Sequence, residues 1–448
     1  MSDQAHLLKS RRFLPLFITQ FMGAFNDNAF KNSFLIWYTY DVAVGNGLDP
    51  QKLVTIAAGL FILPFFLFSA TAGQIADKFE KSLLIQRIKI IEIILMIACV
   101  VGFYMQSVYF LLVILFLMGV QSTFFGPLKY SILPDHLKDD ELIGGNAIIE
   151  AGTFLSILIG TIFGGIIIRT EYGVEIISVT ILTISIIGWI SSRSIPKSDP
   201  ADSSITININ IFGEMLNIVK YARANESVWL SIIGISWFWF VGATFLTQFT
   251  PYTKDIILGN EHIITMFLTL FSAGIGIGSL FCNKLLNGSI SAKFVPLGCI
   301  LISIFTVDLY FATQGFITDY AKSELKATDE LINISQFLGV SIHSKRIIFD
   351  LLMISVSSGI YIVPLYAIMQ HRSDEKYLAR IIACNNILNA FFMVISSIAA
   401  LVLFSYDVEI HELFLIMAIA NFFIYFIVKK LVREKTPKQE ISKEENLK

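Results

Sequence analysis

Charge is what this chain has least of. Asp, Glu, Lys and Arg make up only 15% of its 448 residues, against about 25% in soluble domains, and they avoid the long apolar runs. The net charge is −2, so there is no broad basic field of the kind that draws in nucleic acid, and none is expected as a partner. The four cysteines (Cys99, Cys282, Cys299 and Cys384) lie in or beside apolar runs with no metal-ligand spacing. They read as small apolar residues. The six histidines fall mostly in loops, and no nucleophile–base constellation appears. The sequence therefore predicts no enzyme, no metal and no cofactor.

What is present instead is apolar length. Hydrophobic residues are 55% of the chain and the mean hydropathy is +0.70. A bilayer-spanning helix needs about 20 mainly apolar residues. Twelve stretches qualify, over 13–40, 54–76, 83–105, 108–128, 142–168, 174–194, 227–250, 262–285, 293–313, 347–370, 378–404 and 410–431. The first is too long and too polar for a cleavable signal peptide. None shows the ten-residue alternation of an outer-membrane barrel. The predicted fold is an all-α polytopic membrane protein with twelve transmembrane helices.

Basic residues orient it. With both termini in the cytoplasm, most Lys and Arg fall on that side. Lys52, Arg169, Lys254, Lys322, Lys326, Lys345 and Arg346 fall on the other, as the positive-inside rule requires. The longest polar cytoplasmic stretch, "SIPKSDPADSSITININ" from Ser194, is rich in Pro, Ser and Asp and reads as a linker. It divides an N-terminal six-helix half (1–194) from a C-terminal one (227–431), with the linker over 195–226 and a charged cytoplasmic tail over 432–448. Weak self-similarity crosses the divide: "FMGAF" at Phe21 echoes "FVGAT" at Phe240, and "GPLKYSILPD" at Gly126 echoes "VPLYAIMQHR" at Val363. Two parallel six-helix repeats with a site between them near the midplane is the logic of many secondary transporters.

Between the second and third spans stands "GQIADKFEK". With Gly73, Asp77, Lys78 and Lys81 it resembles the signature loop of the major facilitator superfamily. Glu80 stands where that pattern has its second glycine. A glycine there lets two helices approach closely, and the acid is placed to cap the next helix or to pair across it. A narrower resemblance rests on "QFMGAFNDNAFK", "FFGPLKYSILPD", "LIGGNAIIEAGTFLSILIGTIFGG" and "VPLYAIMQHRS". Together these are similar to the lysophospholipid transporter family, closest to the transporter portion of proteins fused to an acyltransferase and an acyl-carrier synthetase. The resemblance implies a major facilitator fold, a bacterial inner-membrane location, a lysophospholipid substrate and alternating access between the halves; the alternatives are another amphipathic compound or metabolite as substrate, or a non-transporting membrane subunit that docks an acyltransferase. Because the chain ends at Lys448, reacylation is expected to need a separate acyltransferase. Single-domain members often carry an arginine in span seven; "GATFLTQF" from Gly242 offers only Thr247 and Gln248.

The polar residues inside spans are the candidate site. The first span places Asn26, Asp27, Asn28, Lys31 and Asn32 close together. A charge in a membrane core costs at least roughly 2.5–3.5 kcal/mol and persists where it meets a partner or a wet cavity. Asp27 and Lys31 are one helical turn apart, the spacing at which side chains meet, and Asp27 lies about 20 Å along the span. One reading is a structural ion pair. The other has Asp27, with Asn26 or Asn28, contacting a polar headgroup or coupling cation. Glu92 in span three has Lys89 or Lys31 as a partner, or a transport role. Asn146 and Glu150 share a face of span five, where "IIEAGTFLSI" offers Glu150 no nearby cation, so a functional role is expected. Asn385 and Asn389 share a face of span eleven and read as interhelical glue or as substrate contacts. "GIGIG" at Gly274 and "GTIFGG" at Gly160 lie inside apolar helices and read as packing surfaces, not phosphate loops.

Overall fold

A computed structural model describes residues 4–39, 50–208, 210–323, 325 and 330–433. Twelve long helices carry the fold. The first six are α1 (Leu14–Trp37), α2 (Pro50–Lys78), α3 (Lys81–Tyr104), α4 (Val108–Ser131), α5 (Asp139–Ile167) and α6 (Gly173–Ser192). The second six are α7 (Glu226–Pro251), α8 (Glu261–Leu286), α9 (Val295–Tyr320), α10 (Ile342–Arg372), α11 (Leu378–Phe404) and α12 (Ile410–Arg433). Among the described residues the sole β pairing is a single bridge between Gly259 and Ile332.

Ten of these helices, some with flanking turns, are long and apolar enough to cross a membrane by length and composition alone. The other two are α1 and α3. They have the length but carry the polar clusters, Asn26 to Asn32 on α1 and Arg87, Lys89 and Glu92 on α3. Both pack inside the bundle rather than standing apart from it: α1 lies against α5 and α6, and α3 against α4 and α6.

The packing repeats. In the first half α1 meets α5 and α6, α2 meets α4, and α3 meets α4 and α6. Six helices later the same pairs recur: α7 with α11 and α12, α8 with α10, and α9 with α10 and α12. The halves meet along two equivalent seams, α2 with α11 and α5 with α8. Close seams need small residues. At Gly160 an added Cβ would stand 2.7 Å from the Phe25 carbonyl oxygen, so the "GTIFGG" stretch lets α1 and α5 touch backbone to backbone, as expected of a packing surface.

Within the linker, Ile211–Ala224 is a helix, capped where the Asn210 side chain accepts from Gly213 N at 3.0 Å. Two sequence expectations are corrected. Helix α9 runs to Tyr320, past the hydropathy limit at 313, because Phe316 is buried against Phe337, 5.4 Å between ring centroids. Lys89, counted with the cytoplasmic basic residues, is only 1% exposed and sits inside the bundle. Tyr40, Lys326 and tail residues 434–448 lie outside the described residues.

Candidate functional site

A cavity of about 380 Å³ lies between the halves, within the roughly 300–1,000 Å³ of small-molecule sites. One wall is polar and comes from the first half: Gln20, Asp27, Asn28, Lys31, Lys89, Glu92, Gln121, Ser122 and Lys129. The other surfaces are apolar and aromatic, with Phe61, Phe65, Phe125, Trp239, Leu246 and Met393 among them. Asn386 and Asn389 reach in from α11.

The α1 cluster divides by face. Asn26 is buried and points away from the cavity, donating to the Ile181 carbonyl at 3.1 Å and to Glu92 at 3.3 Å. Asp27 lines the cavity and accepts from the Ser122 hydroxyl at 2.8 Å. Lys31 also lines it, reaching Asn28 Oδ1 at 3.4 Å and standing 5.7 Å from the Phe61 ring. Asp27 and Lys31 thus share the cavity without forming an ion pair. Asn32 turns to α5, donating to Thr161 at 3.3 Å.

Glu92 is the centre of a buried polar knot. It pairs with Lys89, three residues earlier on α3, and accepts from Asn26 of α1 and from Gln121 of α4 at 3.2 Å. Of the two cations the sequence offered, the partner is Lys89, not Lys31. Glu150 is 1% exposed and accepts from the Tyr130 hydroxyl. The cation absent from its own neighbourhood in sequence is supplied by α4, where Lys129 lies close enough to attract it.

Tyr130, Gln370 and Tyr366 close one end of the cavity. Tyr130 and Tyr366 stack across the halves at 4.5 Å, with planes 7° apart. Asn146 of α5 donates to Gln370 of α10 at 2.6 Å, and Gln370 donates to the Tyr130 carbonyl at 3.1 Å. Tyr130, Tyr366 and Gln370 fall within the two echoing segments, "GPLKYSILPD" and "VPLYAIMQHR", so the repeat marks both sides of this contact. Asn385 is buried close to Tyr366 and makes no hydrogen bond within ordinary distance. Asn389 accepts from Ser236 of α7 at 2.9 Å while lining the cavity, which joins the glue and cavity readings in one residue. Gln248 is not part of the lining.

The end of α2, just before the α2–α3 loop, is tied to the start of α11 through Asp77. Asp77 Oδ1 accepts from Ala379 N at 3.0 Å, and Oδ2 accepts from Arg380 Nε at 2.8 Å and from Arg380 N at 3.3 Å. Its carboxylate sits at the N-terminus of α11, where free backbone N–H groups and the helix dipole favour an anion. It does not cap the next helix, because it still lies within α2. Glu80 caps α3 instead, accepting from Ser82 N at 2.8 Å and Leu83 N at 2.7 Å. At φ −60° and ψ 122° this position needs no glycine, so the departure from the signature pattern costs the loop nothing. Burial works against the charge on Glu80, but hydrogen bonds from Ser198 N, Ser82 and Leu83 N outweigh it and hold the carboxyl below its ordinary range. Lys81 pairs with Asp135 at 2.6 Å; Lys78 stands 5.7 Å from the Phe79 ring. Gly73 sits where α2 crosses α11: an added Cβ would lie 2.8 Å from both Ala383 Cβ and Arg380 Cα.

Several cavity residues escaped the sequence reading. Ser122 and Asn386 are ordinary residues in apolar helices and nothing local marks them. Arg380 could have been sought as a cation facing Asp77, but its distance along the chain gave no pairing.

Two sets of six helices that repeat the same packing, with a polar-walled cavity between them, are the architecture of a multi-pass membrane transporter. The chain belongs to the Major Facilitator Superfamily, whose family model matches residues 16–321. It is 24% identical over 393 residues to the lysophospholipid transporter LplT of Escherichia fergusonii, covering 84% of this chain and 85% of that one. It is 25% identical to the proteins of the same name from Escherichia coli O157:H7 and Shigella boydii, with the same coverage. Among solved structures it is similar to a bacterial homologue of the iron transporter ferroportin in an outward-facing state (TM-score 0.69, 13% identity, 94% of this chain and 99% of that one). It is also similar to a human organic anion transporter (TM-score 0.72, 9% identity, 96% and 100%). At such identities these two structures speak for the fold alone.

Proposed function

We propose that this protein moves lysophospholipids across a bacterial inner membrane, by alternating access between the halves 1–194 and 227–431 joined by the linker 195–226. Both termini are cytoplasmic in this reading, so the end locked by Asp77 and Arg380 faces the cytoplasm.

The observation that carries the reading is the two-faced cavity. Asp27 and Lys31 present an acid and a base in one space without a direct ion pair, and Phe61, Phe65, Phe125 and Trp239 face them. A zwitterionic or anionic headgroup with a single apolar tail suits that division. Asp27 receives an ammonium group, Lys31 or Lys129 a phosphate, and the tail follows the rings. Names of the curated relatives support the same substrate class. Glu92 holds α1, α3 and α4 together, and Asn146, Glu150 and Asn385 belong to the closing floor; Asn389 adds an amide to the cavity wall. Gly73, Asp77, Lys78 and Lys81 form the loop that makes and breaks the lock.

Purified protein reconstituted in vesicles with a labelled lysophospholipid tests the reading. Protein-dependent movement of the label between leaflets, competed by unlabelled lysophospholipid and lost in Asp27→Asn, is the expected result.

A further inference from the structure

The linker helix Ile211–Ala224 has two apolar stripes, and the bundle uses only one. Ile211, Met215, Ile218 and Ala222 recur at helical spacing, and Ile218 and Ala222 are buried against the protein. One residue further round, Phe212 and Leu216 form a second, shorter stripe that ends at Arg223, while Val219 between them is partly buried against the core. Here Phe212 is 60% and Leu216 65% exposed, and Arg223 and Lys220 are exposed beside them. Glu214, the one acid of this helix, turns to the opposite flank and accepts from Asn208 at 3.3 Å. Two phenyl- and leucyl-sized groups left in water would oppose the hydrophobic effect, whereas apolar groups edged by Lys and Arg are the signature of a helix lying in a membrane interface. The helix packs on α2, α7 and α11 and leads directly into Glu226, the first residue of α7, so it lies at the end of the bundle where α7 begins. The guanidinium of Arg223 stands 5.5 Å from the ring of Trp229, near the start of α7.

We propose that this second stripe docks onto the bilayer surface around the bundle and recognises anionic lipid headgroups through Lys220 and Arg223. The docked helix is wired to the lock. Its Tyr221 stacks on Tyr377 at 4.2 Å, the Arg380 guanidinium lies 4.1 Å from the Tyr377 ring, and Arg380 pairs with Asp77. Displacing the helix on the surface therefore moves the aromatic ring on which the locking arginine rests.

The test uses the full chain in vesicles and needs no transported substrate, so its outcome is separate from that of the transport assay. Spin labels are placed singly through Leu216→Cys and Asn217→Cys; the four native cysteines are buried and stay unlabelled. In vesicles containing phosphatidylglycerol, the label at 216 should be more accessible to oxygen than to a water-soluble nickel chelate, and the label at 217 the reverse. In pure phosphatidylcholine, or in a Lys220→Glu/Arg223→Glu background, the label at 216 should shift toward the chelate. Equal exposure of 216 and 217 to the chelate in both vesicles would overturn the docking. Docking that is unchanged by phosphatidylglycerol and by the charge reversal would overturn the recognition of anionic lipid.

Discussion

Asp27 is held by the hydroxyl of Ser122 on α4, 2.8 Å away, and not by Lys31 one turn along its own helix. That relationship favours a ligand-facing role for the charge in the first span over a structural ion pair. An acid paired to its neighbour stabilises; an acid on a cavity wall, steadied by one hydroxyl, remains free to meet a ligand.

Asp27→Asn should fold and insert almost normally, since an amide oxygen still accepts from Ser122 and Lys31 keeps its contacts with Asn28 and the Phe61 ring. Transport should fall on the order of tenfold to a hundredfold, the equivalent of the roughly 1.5–3 kcal/mol of a hydrogen bond to a charged group. Exchanging Asp27 and Lys31 should not restore it, because the charge moves one turn out of reach. Initial rates in vesicles at matched protein levels check this. A swapped variant running at the wild-type rate would remove Asp27 from the substrate site.

The lock gives a second expectation. Asp77→Ala removes the acceptor for three donors at the start of α11, and losing a helix cap alone costs about 0.5–2 kcal/mol. The protein should stay in the membrane but transport more slowly. A cysteine at Ser131, buried here, should become more reactive to a thiol reagent applied from the side of the α2–α3 loop. Gly73→Leu should do the same by wedging α2 from α11. Unchanged flux and labelling in both variants would make this loop an ordinary turn.

Lys89 and Glu92 should behave as structure. Lys89→Met leaves a buried carboxylate short of its cation, and removing one partner of a buried pair costs about 3–5 kcal/mol. The double variant Lys89→Met/Glu92→Met should recover much of that, read as the midpoint of thermal unfolding in detergent. A double variant with normal stability but no transport would instead give this pair a role in transport.

Orientation is tested by reporter fusions. A reporter at Ser203 should remain cytoplasmic, and one between Leu331 and Ser335 should be exported. The reverse at either position would invert the assignment of the locked end.

Much of this molecule was written in one-dimensional pattern. The apolar runs marked twelve helices because a bilayer demands length, and the polar interruptions of α1 and α3 marked the cavity wall because hydrocarbon penalises charge wherever it is not put to use. The two echoing segments placed Tyr130 and Gln370 near each other only in hindsight: similarity says that two segments are equivalent, not that they touch. Partners chosen by tertiary packing were beyond reach. Nothing near Asp77 in the chain points to Arg380, Ser122 is one hydroxyl in an apolar helix, and Asp27 and Lys31 at ideal pairing distance along the helix turn to different neighbours. The linker helix was hidden by the Pro, Ser and Asp that precede it.

The most direct measurement is the movement of a labelled lysophospholipid between leaflets of vesicles holding the purified protein. Wild-type protein should move it faster than protein-free vesicles do. Asp27→Asn should fall toward the protein-free rate, and Lys89→Met/Glu92→Met should keep much of the wild-type rate. A wild-type rate no higher than that of protein-free vesicles would contradict the account.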